Sequence, residues 1–238
     1  MSKKYPPVKA DDQMRELEQG PGFLARRAEL DRAIEARRET MHDASKPVLA
    51  DLGQVGVRLA SLGEPISDKD RPAALRVFMR WLPLVTNRDV KEVLVRGLSV
   101  PAAGKAGARC LIDALVREGT DGRDESLMWA MGNGLEVLSK FAPLEELIQL
   151  AESSPLGEAR QMVVLALAKH RDPSVVPVLV RLLDDETVCG HAVAALAKLK
   201  VPSTRSHLES FVSHRKPWIR NEAKKGLRGI QKIIGPTH

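Results

Sequence analysis

A small residue followed by Leu recurs along this chain at Gly97-Leu98, Gly134-Leu135, Ala166-Leu167, Ala195-Leu196 and Gly226-Leu227, and the steps between the leucines are 37, 32, 29 and 31 residues. Each pair closes a helical pattern, and a second helical pattern precedes each one. Self-similarity at this period marks a solenoid, in which every unit rests only on its neighbours. Such an array presents a long surface rather than one deep pocket. The repeat therefore says more about how the chain binds than about what it binds.

The repeat holds in register. Four residues before the marked leucine stand Leu94, Met131, Val163, Ala192 and Ala223; eight before it stand Val90, Leu127, Ala159, Val188 and Ile219. Spacing of this kind places all three positions on one helix face. The small residue ahead of each leucine lets adjacent helices approach closely.

Five helix pairs are expected, at roughly 71–100, 101–141, 142–170, 171–200 and 201–232, so the repeat array covers 71–232. In the fourth pair Asp172-Pro173 opens the first helix, and Asp184 to Thr187 form the turn into the second. Acids there suit a helix N-terminus through capping and the dipole. Ahead of the array, residues 1–20 read as a flexible lead-in, and behind it 233–238 read as a tail. Residues 21–63 read as a cap of two helices, one near 22–43 and one near 46–62, with Pro47 in the first turn of the second. The cap is expected to cover the open end of the stack. The fold class is all-α: a right-handed α-α superhelix of about five helix pairs, forming one domain.

Composition narrows the partners. Hydrophobic residues make up 43% but aromatics only 3%, so the core is aliphatic and stacked-base recognition lacks its platforms. Cys110 and Cys189 fall in the second and fourth repeats. Neighbouring helices pack about 8–10 Å apart, which puts the two cysteines beyond the disulfide limit of about 7 Å between Cα atoms. Two free thiols, a reducing compartment and a cytoplasmic location are expected. The N-terminus shows no signal-peptide core, and no apolar run approaches the roughly 20 residues of a membrane span. The whole net charge of +6 sits after residue 200, where eight Lys or Arg face only Glu209 and Glu222.

The segments Arg171-Asp-Pro-Ser-Val-Val-Pro-Val-Leu-Val-Arg-Leu-Leu-Asp-Asp-Glu186, Gly190-His-Ala-Val-Ala-Ala-Leu-Ala-Lys-Leu199 and Pro217-Trp-Ile-Arg-Asn-Glu-Ala-Lys-Lys-Gly-Leu227 resemble HEAT repeats, specifically the bacterial, phycobilin-lyase-type HEAT-like class. The resemblance covers about 160 residues and is specific for architecture. It implies that the second helices line the concave side. Function does not follow from it, because scaffolds, adaptors and a few enzymes share the fold.

On those second helices, the polar residues outside the apolar register are the candidates for contact with a protein partner: Arg96, Asn133, Arg160, His191, Arg220 and Glu222, with Lys91 and Trp129 beside them. A row of arginines could grip carboxylates or phosphates bidentately. Trp129 and Asn133 lie four apart and share a face, and large aromatics often anchor interfaces. Trp81, beside Phe78 on a first helix, is expected in the core, and Trp218 is expected to staple its turn. The alternative is a nucleic-acid-binding or DNA-repair solenoid, akin to alkylpurine glycosylases. It would use the basic C-terminal helix through Lys224, Lys225, Arg228 and Lys232. The competing explanation for that helix is a terminal cap with a polar outer face.

Enzyme readings find little support. HEAT-repeat di-iron hydroxylases use repeated His-Glu dipeptides, and none of the six His here precedes Glu. No GxSxG, HExxH, P-loop or GxGxxG pattern occurs. The expectation is a non-enzymatic scaffold, without metal, cofactor or membrane anchor.

Overall fold

The computed structural model describes residues 21–121 and 124–235, without the side chains of Pro21 and Asp121. The expected lead-in and the last residues of the tail lie outside that range. Every regular element among the described residues is a helix. The chain divides into two compact units, Met1–Lys46 and Pro47–His238.

The long helix α1, Pro21–Gln54, runs through the boundary between the units. Two cap helices were expected, and one continuous helix is found. Pro47 is interior to it rather than in a first turn. Proline lacks the N–H that would bond the carbonyl of Asp43, and the boundary between the units falls beside it. In the first unit, Phe23, Leu24, Leu30 and Ile34 are 44, 55, 56 and 41% exposed. In the second unit, Val48, Leu52, Val57 and Leu62 are buried. Asp51 accepts the Trp81 indole N–H at 2.6 Å and also pairs with Arg80. Trp81 is therefore half-buried with its N–H satisfied, while Phe78 is the core aromatic.

Five helix pairs follow: α2 (Arg71–Trp81) with α3 (Arg88–Leu98), α4 (Gly104–Asp121) with α5 (Glu125–Val137), α6 (Leu144–Glu152) with α7 (Arg160–His170), α8 (Val175–Arg181) with α9 (Cys189–Leu199), and α10 (Arg205–Glu209) with α11 (Pro217–Ile234). The second helices pack in a continuous row: α3 on α5, α5 on α7, α7 on α9 and α9 on α11. This is the α-solenoid that the repeat predicts.

The register explains the burial. Leu98, Leu135, Leu167 and Leu196 are fully buried, as are the apolar residues four before each of them. Leu227, in the repeat of α10 and α11, is half-buried. The small residue before the leucine is a packing requirement. A Cβ on Gly226 would stand 2.8 Å from the Ala197 Cβ of α9 and from Leu208 Cδ1 of α10. Such distances leave no room even for alanine.

Caps define several helix starts. Asn87 accepts the N–H groups of Asp89 and Val90 at the head of α3, and Asp124 accepts Leu127 N–H at the head of α5, each satisfying otherwise orphaned donors. In the fourth repeat the N-cap of α9 is Val188, without a side-chain cap. The Asp185 carboxylate takes the Thr187 N–H at 2.9 Å instead. At the other ends, α7 and α9 close on Arg171 and Lys200 in the left-handed region, with φ of 55° and 56°. Glycine is the usual residue there, and a side chain in that conformation costs about 1 kcal/mol or more. Cys110 and Cys189 are free thiols, and burial pushes both pKa values up. No described helix is long and apolar enough to cross a membrane.

Candidate interaction surface

Because the second helices share a register, their outward side can be read in columns. Two residues before the marked leucine stand Arg96, Asn133, Leu165, Ala194 and Lys225; five before it stand Val93, Ala130, Met162, His191 and Glu222. Every one of these is half-buried or exposed. The ends of the strip are charged. Its middle, on α5, α7 and α9, is mostly apolar: Ala130, Met162, Leu165 and Ala194 alternate with the half-buried Asn133 and His191, and Trp129 stands beside them at 44% exposure.

The seams under this strip are tight. A Cβ on Gly132 of α5 would stand 2.5 Å from the Ala159 carbonyl oxygen and 3.6 Å from Met162 Cβ. Gln161 Nε2 of α7 donates to the Thr187 carbonyl at 3.1 Å, ahead of α9. On the far side the Trp218 ring lies against Gly190, and its centroid is 5.3 Å from that of His191. Trp218 therefore bridges α11 to α9 as well as opening its own helix, and it remains 42% exposed. Burial pushes the His191 pKa down, and nearby Lys216 adds to the effect.

The expected row of arginines does not form. Arg160 is 3% exposed and cannot act as a surface grip. It stands seven before its leucine, a column in which Met128 and Cys189 are also buried while Lys91 and Arg220 are half-buried. Its guanidinium pairs with Asp185 at 2.7 Å and donates to the carbonyls of Gly157 and Ala151 at 3.2 and 3.3 Å. Arg220 donates to the carbonyls of His214 and Arg215, bracing the turn before α11. Arg96 is exposed and held by Glu92 at 2.6 Å. Lys91 pairs with Glu118 at 3.1 Å.

At the α3 edge these charges form a network. Arg88 contacts Glu92, Asp124 and Ser126, with its Nε 2.8 Å from Asp124. The Leu127 N–H lowers the Asp124 pKa most. Burial opposes it, Arg88 and Ser126 add to it, and the carboxyl settles at about 2. The network ties the head of α3 to the head of α5.

The basic helix α11 exposes Lys224, Lys225, Arg228 and Lys232. Lys225 reaches Glu222 at 3.3 Å. Lys224 stands three before its leucine, where the preceding repeats bury Val95, Gly132, Val164 and Val193. In the repeat of α10 and α11 the lysine at that position is exposed. Among the described residues no group of three or more His, Cys, Asp or Glu is placed to hold a metal ion.

Residues 144–228 match the family model of HEAT repeats. The match spans α6 through most of α11, the last three helix pairs. The first two pairs lie outside it yet carry the same buried register. No curated protein matches the chain.

Proposed function

We propose that this chain is a non-enzymatic HEAT-repeat scaffold that holds a protein partner against its row of second helices, the concave side in HEAT proteins. HEAT repeats commonly serve as interaction scaffolds. The observation that carries the reading is the half-exposed apolar strip of Ala130, Met162, Leu165 and Ala194 beside Trp129, between charged ends. An apolar centre with an aromatic anchor and a polar rim is the anatomy of a protein interface. Neighbouring helices hold the strip rigidly, so little ordering entropy opposes association. The phycobilin-lyase-type likeness stays at the level of architecture and supplies no lyase chemistry.

Partner contact passes from the arginine row first expected to Trp129, Asn133 and His191, with Met162 and Leu165 added. Arg96 and Glu222 contribute to the rim, while Arg160 and Arg220 support the fold. Nucleic-acid binding through Lys224, Lys225, Arg228 and Lys232 is the weaker reading, because a terminal cap accounts for the same charges.

The test is affinity capture from nuclease-treated lysate of the source cell, comparing wild type with Trp129→Ala/Met162→Glu. The reading expects a protein that wild type retains and the variant loses at unchanged melting temperature. Loss on nuclease treatment, or equal retention by the variant, would contradict it.

A further inference from the structure

Arg171 and Lys200 are equivalent residues of successive repeats. Each stands four after a marked leucine, and each closes its second helix in the left-handed conformation. They are the two described non-glycine residues with positive φ. Their side chains line one cleft of about 670 Å³, together with Lys198. None of these three cationic side chains has a hydrogen-bond or ion-pair partner among the described residues. The only acid in the lining, Asp172, is engaged by the Ser174 N–H at 2.8 Å. Much of the remaining lining is apolar, including Val176, Pro177 and Val201.

We propose that this cleft binds an acidic peptide segment of a protein partner. An apolar side chain of the segment would sit on Val176, Pro177 and Val201, with its carboxylates against Arg171, Lys198 and Lys200. The volume falls within the range of about 300–1,000 Å³ typical of ligand sites. The uncompensated positive charge selects an anionic occupant, and Arg171 offers a carboxylate a bidentate fork. A polynucleotide fits less well, because no aromatic ring lines the cleft for a base to stack on. Both basic residues occupy a backbone position where glycine is the easier choice. The Lys200 stem lies against Gly229 of α11, but that contact uses only its methylenes, and the cationic ends of both residues are left for an anionic occupant. The site is separate from the apolar strip, and its test does not depend on that strip.

The experiment titrates the full chain into a fluorescein-labelled hexapeptide, Glu-Leu-Glu-Glu-Leu-Glu, followed by anisotropy, with the all-Gln analogue as control. Saturable binding of the acidic peptide is expected, weakened about tenfold or more for the analogue and for Arg171→Gly/Lys200→Gly. Glycine suits both backbone positions, so the double variant should melt no lower than wild type. If it does melt lower, Arg171→Gln/Lys198→Gln is read in its place, with the same expected loss. Trp129→Ala should leave peptide affinity unchanged, which separates this site from the strip. No saturable peptide binding, or equal binding by the charge variants, would overturn the proposal. Binding of a labelled single-stranded oligonucleotide in place of the peptide, lost in the same variants, would also overturn it and reassign the cleft to phosphates.

Discussion

Arg160 of α7 and Asp185, in the turn before α9, form an ion pair at 2.7 Å that joins the third repeat to the fourth. Arg160 is nearly inaccessible, and Asp185 is 30% exposed. Burial raises the Asp185 pKa, but the Arg160 guanidinium and the Thr187 N–H outweigh it and leave the pKa below the usual carboxylate value. Removing the acid leaves a buried cation with only two carbonyl partners. Asp185→Ala should cost about 2 kcal/mol in urea unfolding. Arg160→Met together with Asp185→Asn should recover part of that loss, as a thermodynamic cycle would show. An Asp185→Ala variant as stable as wild type would remove the pair from the account.

Asp124 makes stability acid-sensitive. Its folded pKa, about 2, lies below the ordinary value of 3.8 that it takes in the unfolded chain. The stabilisation is therefore complete above about pH 4 and drains away as pH falls toward 2. With solvent screening the contribution is about 1 kcal/mol. Asp124→Asn retains a competent N-cap but loses the titration. Its unfolding free energy should fall less steeply between pH 4 and pH 2 than that of wild type, and parallel curves would count against this assignment.

The register predicts unequal costs for the same substitution. Leu167→Ala and Leu196→Ala, both fully buried, should each cost about 2–5 kcal/mol. Leu227→Ala, at the half-buried end of the array, should cost about 1 kcal/mol. Equal losses by urea titration would mean that the last repeat is covered.

Two glycine substitutions should differ in sign. Gly132→Ala gains helix propensity, but its Cβ would meet the Ala159 carbonyl oxygen at 2.5 Å, so a net loss of about 1–2 kcal/mol is expected. Gly53→Ala, in α1 with nothing within 4 Å, should stabilise by about 0.5–1 kcal/mol. Calorimetric melting of the two variants reads both.

The helix pairs were legible because burial repeats with the sequence: positions 0, −4 and −8 of the register are the core in every repeat, Leu227 alone being half-buried. The outward and inward columns are also legible from residue type. Met162 and Leu165 lie on the outward columns, and their apolar character there marks the strip. Met128 and Cys189 share a column with Arg160 and mark it as inward-facing. Polar character alone does not separate a buried structural arginine such as Arg160 from a surface one, and it says nothing of an apolar surface. The continuity of α1 through Pro47 was not legible, because a proline inside a helix and one in its first turn leave the same local pattern. The cleft under Arg171 and Lys200 depends on backbone conformation at two helix ends, which sequence spacing does not report.

The central claim is that partner contact falls on the outward columns of α5, α7 and α9. Amide hydrogen exchange of the chain, free and with its captured protein partner, tests it most directly. The account predicts added protection at residues 126–133, 158–165 and 187–194, with α2, α4 and α6 unchanged. Protection confined to those first helices, or to α11, would contradict it.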